Sequence, residues 1–202
     1  MNLSLAAPLA VMGATEGWAM ARAGRAYHGG VDLRAPVGTQ VRASSSGTVV
    51  KAGAYSDTAG LAVEIAHGDG MLTRYLHLSR LDVSTGQKVS RGQLLGLTGF
   101  ATSPHLHWDA WVEPGRLSEY VAKFGKPTTG FPVTQTFGGK LYVKVPAEPL
   151  APMGYQADVI AAAQAANVKL YSASPWMAVF AVALLGVGAF AAYRYFKTPP
   201  ST

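Results

Sequence analysis

The chain has 202 residues, 17 Lys and Arg against 11 Asp and Glu, a formal charge of +6 and no cysteine. That length fits one domain of ordinary size with an appendage, and the missing thiols exclude both disulfides and a cysteine-ligated metal site. A basic balance favours anionic polymers and surfaces, but the cations are scattered without a basic cluster or helix, so no nucleic-acid partner is expected.

Residues 1–27 are Gly- and Ala-rich, with Gly13, Gly17 and Gly24. They read as loop with little regular structure, lying along one edge of the site. The opening run from Met1 to Pro8 lacks a basic n-region and is broken by Pro8, so it does not read as a secretory signal. His28 and Asp32 then stand four apart, with Gly29 and Gly30 between them. The two glycines let the backbone turn tightly, so a turn running into a strand brings both side chains to one point.

Short strands follow over 40–43, 47–52 and 61–67, with Gly, Ser and Asp between them, as in an antiparallel meander. His67-Gly68-Asp69-Gly70 reads as a hairpin turn, with His67 serving the turn. The returning strand, Met71 to Leu78, is expected to place Thr73, Tyr75 and His77 on one face. Two Gly-Gln turns, at Gly86-Gln87 and Gly92-Gln93, precede Pro104-His105-Leu106-His107-Trp108-Asp109. Read as a strand, that stretch points His105, His107 and Asp109 one way and Leu106 and Trp108 the other. A short helix over 118–124 is closed by Gly125.

Composition changes near residue 126. Prolines at 127, 132, 146, 149 and 152 mark residues 126–154 as a Pro/Gly-rich linker, with a possible small hairpin across Gly138-Gly139. Residues 155–170 are Ala-rich and helix-like. Leu170 to Tyr193 contains no charge, which is long enough to cross a bilayer, and Trp176, Tyr193 and Tyr195 stand at its ends. The expected division is therefore a domain over 1–125, the linker, the helix, one transmembrane helix over 171–196 and a tail over 197–202. Arg194 and Lys197 after the span weakly place the tail in the cytoplasm and the domain outside it.

The chemistry-bearing residues are His28, Asp32 and one or both of His105 and His107. Two imidazoles and one carboxylate, with a place left for water, form a catalytic zinc pattern. The motifs His28-Gly29-Gly30-Val31-Asp32, Tyr75-Leu76-His77-Leu78 and His105-Leu106-His107 occur in that order over residues 25–112. There the chain resembles the lysostaphin-type zinc endopeptidases, which cleave peptide crosslinks of bacterial peptidoglycan. The resemblance implies a mostly β, antiparallel-sheet catalytic domain. It makes His28, Asp32 and His107 the Zn2+ ligands and His77 and His105 the catalytic pair, without dividing the work between them. Asp109 stands where the family usually has Glu, and Trp108 where it usually has Phe. Asp109 is a candidate to orient a zinc-ligating imidazole through its carboxylate, although its reach is shorter.

The expected function is a membrane-anchored, phage-encoded wall peptidase for entry or lysis. Its partners would be peptidoglycan, a lipid bilayer through the C-terminal helix, and other virion membrane proteins. Its domain would lie on the periplasmic or wall side, or in a virion membrane. Two competing readings are a non-catalytic wall-binding relative that activates a separate amidase and a structural membrane protein of a virion. Retention of every expected ligand and of both histidines of the pair argues against each.

Overall fold

The computed structural model describes residues 3–10, 13–18, 28–127, 133–151 and the backbone of 154–155. The expected Ala-rich helix and membrane span lie outside these residues. No helix among the described residues is long and apolar enough to cross a membrane.

The described chain is mostly one antiparallel sheet. Its strands are β1 (Gly13–Glu16), β2 (Val31–Arg34), β3 (Gln40–Arg42), β4 (Gly47–Ser56), β5 (Gly60–Ala66) and β6 (Met71–Leu81). After these come β7 (Lys88–Val89), β8 (Leu94–Phe100), β9 (Pro104–Val112), β10 (Thr134–Phe137), β11 (Lys140–Val145) and β12 (Gly154–Tyr155). One helix, α1 (Leu117–Phe124), ends on Gly125, whose φ of 85° suits glycine.

Strand β9 is the hub. It pairs antiparallel with β2, β6, β8 and β11. Eight of its nine residues are buried, which a strand tolerates only when both of its faces are covered. On one face Leu106, Trp108, Ala110 and Val112 join a core with Val31, Leu33, Tyr75 and Tyr120. Each large side chain removed from water there contributes on the order of 2 kcal/mol. On the other face His105, His107, Asp109 and Trp111 follow one another, and Trp111 packs with Leu72, Phe137 and Tyr142.

Two segments depart from the sequence expectation. Residues 3–10 and 13–18 are more than loop. Leu3, Leu5 and Leu9 are buried in the main core, and β1 pairs with β2. The Leu5 N–H donates to Leu150 O at 2.6 Å. Nor is residues 133–151 an extended spacer. The hairpin forms across Gly138 and Gly139 as expected, but β11 also pairs with β9, with Lys144 opposite Trp111. Tyr142, Val143, Val145, Ala147 and Leu150 are buried. Among the described prolines of this segment, Pro149 is buried in a 3-10 turn, and the peptide carbonyl of Pro146 accepts from Tyr120 OH at 2.9 Å.

Candidate metal centre

The β2–β9 register sets Asp32 opposite His107, and Arg34 opposite His105. The turn before β2 brings His28 over the same point. His28 Nε2 is 3.1 Å from His107 Nδ1 and 3.2 Å from Asp32 Oδ1, and His107 Nδ1 is 2.9 Å from Asp32 Oδ1. All three residues are buried. They form a group whose ligand atoms lie within 4.8 Å of one another.

The hydrogen bonds of each ring favour one tautomer. His28 Nδ1–H donates to Gly17 O at 3.1 Å, leaving Nε2 as a lone pair. His107 Nε2–H donates to Asp109 Oδ2 at 3.3 Å, leaving Nδ1 as a lone pair. With His28 protonated on Nδ1 and neutral His107 on Nε2, two imidazole lone pairs and a carboxylate oxygen converge on one point. Such a donor set requires a cation or a proton. The triangle edges of about 3 Å match three corners of a tetrahedron with zinc bonds of about 2.0–2.1 Å, so these residues fit that ion. The same convergence governs charge. Burial opposes the Asp32 carboxylate, but His107 and His28 outweigh it and hold its pKa far below the usual range. Burial likewise opposes a His107 imidazolium, yet Asp109 and Asp32 raise its pKa.

Beside this group stand His77 and His105, ring centroids 4.7 Å apart. His105 Nδ1–H donates to Ser103 O at 2.8 Å, and Nε2 faces Asp32 Oδ2 at 3.6 Å. His77 arrives by a route the alternation does not predict. Leu76 is opposite His107 and Tyr75 opposite Trp108, so simple alternation would put His77 in the core with Tyr75. Instead His77 has φ of 63°, where the β5–β6 pairing shifts register between Leu61 and Val63. The irregularity turns its ring to the site face. The expectation that Thr73, Tyr75 and His77 share a face is thus corrected. Burial and the neighbouring His105 and His107 push the His77 pKa down to about 4, so its ring is neutral near pH 7.

Asp109 is fully buried, with its Oδ2 also 2.7 Å from Arg74 Nη2 and 3.0 Å from Lys144 Nζ. Trp111 Nε1–H donates to Oδ1 at 2.6 Å. Burial raises the pKa of this carboxyl, but Arg74, Lys144 and His107 together hold it well below the ordinary value. Asp109 Oδ2 stands 3.3 Å from His107 Nε2. Sequence reasoning missed Arg74 and Lys144. Each was readable only as a charge within an apolar strand. His67 lies apart as turn chemistry: its Nδ1–H donates to Ser46 O at 2.9 Å, and Thr73 Oγ1 sits 2.9 Å from Nε2.

Residues 26–118 match the model of peptidase family M23. The peptidoglycan DD-endopeptidase ShyA of Vibrio cholerae is 49% identical over 90 residues, 43% of this chain and 21% of that protein. Lysostaphin of Staphylococcus simulans is 39% identical over 89 residues, 42% of this chain and 18% of that one. The chain thus spans about a fifth of the length of the curated relatives it matches. Among solved structures, the lysostaphin catalytic domain from the same organism aligns with a TM-score of 0.47 at 34% identity, covering 50% of this chain and 80% of that one. Over residues 26–118, the chain is similar to peptidase family M23.

Proposed function

We propose that this protein is a zinc-dependent endopeptidase that hydrolyses peptide crosslinks of bacterial peptidoglycan. One observation carries the reading. Two imidazole lone pairs and a carboxylate oxygen meet beside a second pair of imidazoles, within a segment whose relatives include a peptidoglycan endopeptidase.

His28, Asp32 and His107 would hold the ion, which when bound supplies a Lewis acid and makes a coordinated water acidic near neutral pH. His105, with Nδ1–H tied to Ser103 O, presents Nε2 as a proton acceptor for the attacking water. It returns that proton to the leaving amine. His77, neutral at working pH, offers a ring N–H to the developing oxyanion. Asp109 keeps the His107 tautomer that leaves Nδ1 bare.

The proposal extends to location. Residues 171–196 would anchor the enzyme in a bilayer, with the domain outside the cytoplasm or in a virion membrane. There it would serve phage entry or lysis beside other virion membrane proteins. The uncharged run from Leu170 to Tyr193 supports the anchor. Fractionation that finds the full chain free in the cytosol would remove this part alone.

The central test is clearing of purified sacculi, with muropeptides identified by mass spectrometry. The expected result is cleavage of peptide crosslinks, lost on chelation and restored by zinc. Sacculi left intact by zinc-loaded protein would refute the enzyme reading.

A further inference from the structure

Lys144 lies on β11, beyond the segment that matches the family, yet it reaches the metal centre. Its Nζ is 3.0 Å from Asp109 Oδ2, and Asp109 holds His107. Its stem runs along the turn between His28 and Asp32. A Cβ added to Gly29 would stand 3.0 Å from Nζ, 3.6 Å from Cε and 3.8 Å from Cδ. The side chain is buried, and its ammonium lies 4.9 Å from the Trp111 ring centroid. The strand is registered by Lys144 pairing with Trp111, and the Lys144 N–H donates to Val133 O at 2.8 Å.

Charge alone does not account for this ammonium. Arg74 already contacts Asp109 through both Nε, at 3.2 Å, and Nη2, at 2.7 Å. One guanidinium balances one carboxylate. A second cation this close to a divalent-ion site works against the ion by Coulomb repulsion. What Lys144 adds is contact with both halves of the ligand set at once: the turn carrying His28 and Asp32, and the strand carrying His107.

We propose that Lys144 is a positioning residue that braces the His28–Asp32 turn against the Asp109–His107 pair, fixing the spacing of the metal ligands. This rests on the metal reading above and extends it to a strand outside the matched segment. Position and charge predict opposite signs. If the ammonium were only a charge, its removal would tighten zinc binding. If it is a brace, removal loosens the ligand set and weakens binding.

The test is zinc affinity of the full chain by chelator competition, below the melting temperature of each variant. The d–d absorption of bound Co(II) serves as a second readout of ligand geometry. Lys144→Met keeps the length and loses the charge. It is expected to weaken zinc binding about 10–100-fold, the usual cost of losing an outer-shell partner, and to change the cobalt spectrum. Ile65→Val, in the core away from the site, supplies the stability control: it lowers the melting temperature but keeps wild-type zinc affinity. The Lys144→Met, Asp109→Asn double variant should lose less than the product of the single losses, because both act on one connection. Unchanged or tighter zinc binding in Lys144→Met overturns the proposal. Should Lys144→Met not fold, Gly29→Ala decides. It keeps the charges and displaces the lysine tip, so several-fold weaker binding is expected and wild-type affinity overturns the brace. A wild-type chain that takes up no zinc overturns this inference and the metal reading together, whereas zinc-loaded wild type with an indifferent Lys144 overturns this inference alone.

Discussion

His77 meets His105, ring centroids 4.7 Å apart, because its own backbone is left-handed, with φ of 63°. An ordinary strand conformation would carry the ring to the Trp108 side of the sheet. The unfavourable backbone and the functional pairing are therefore one feature. In a regular strand Gly is less stable than Ala. At position 77 the order should reverse. His77→Gly is expected to be more stable than His77→Ala by about 1 kcal/mol, since only glycine adopts this φ without cost. Both should bind zinc and neither should clear sacculi. Thermal unfolding of the two variants checks the backbone, and Ala equalling or exceeding Gly would contradict it.

On the proposed reading, the two histidines of β9 divide the roles of ligand and reacting group. His107 Nδ1 faces His28 and Asp32, whereas His105 Nε2 stands 3.6 Å from Asp32 Oδ2. His107→Ala is expected to lose zinc and activity together. His105→Ala should keep stoichiometric zinc while losing activity by a factor of about 10²–10⁴, the scale of general acid–base catalysis. Metal analysis of both purified variants decides this. An empty His105→Ala protein would exchange the roles.

Gly30 is the close approach that lets the turn pass over β9. A Cβ there would lie 2.6 Å from His107 Nε2 and 2.9 Å from Trp108 O, which is backbone and cannot swing away. Gly30→Ala should therefore displace His107 from Asp109. The expected loss is about 1–3 kcal/mol of stability, with zinc affinity at least roughly tenfold weaker. Isothermal titration with zinc, alongside urea unfolding, measures both. Wild-type values would mean that the turn adjusts without moving His107.

His67 gives a pH signature independent of the metal. Burial lowers its pKa from 6.5, although its hydrogen bond to Ser46 O works the other way. The unfolded chain takes up a proton below pH 6.5 that the folded chain resists. Stability contributed at this site is therefore complete above 6.5 and declines as pH falls below it, at up to about 1.4 kcal/mol per pH unit. Urea unfolding at pH 7.5 and 5.5 should show a smaller drop for His67→Gln than for wild type. Equal drops would place the titration elsewhere.

What could be read from the residues depended on how local the signal was. The alternation of Pro104 to Asp109 and the glycine pair between His28 and Asp32 are short-range patterns, and the structure shows both as expected. The face of His77 is not local: it depends on a register shift against β5 that alternation cannot reveal. Lys144 alternates with Val143 and Val145, as a solvent-facing residue of a free hairpin would. Only the pairing of β11 with β9 buries it. Residues 3–10 enter the core through three leucines at 3, 5 and 9, too few among small residues to stand out as a strand signal, and they form no helix or strand.

The bond from Leu5 to Leu150 has a consequence for synthesis. It ties the first described residues to almost the last, and Trp18 N–H does the same by donating to Glu148 Oε1 at 2.6 Å. A nascent chain that has not yet released Leu150 from the ribosome lacks both clasps. Closure of the domain is thus a late event, set by sequence separation rather than by the speed of hairpin formation.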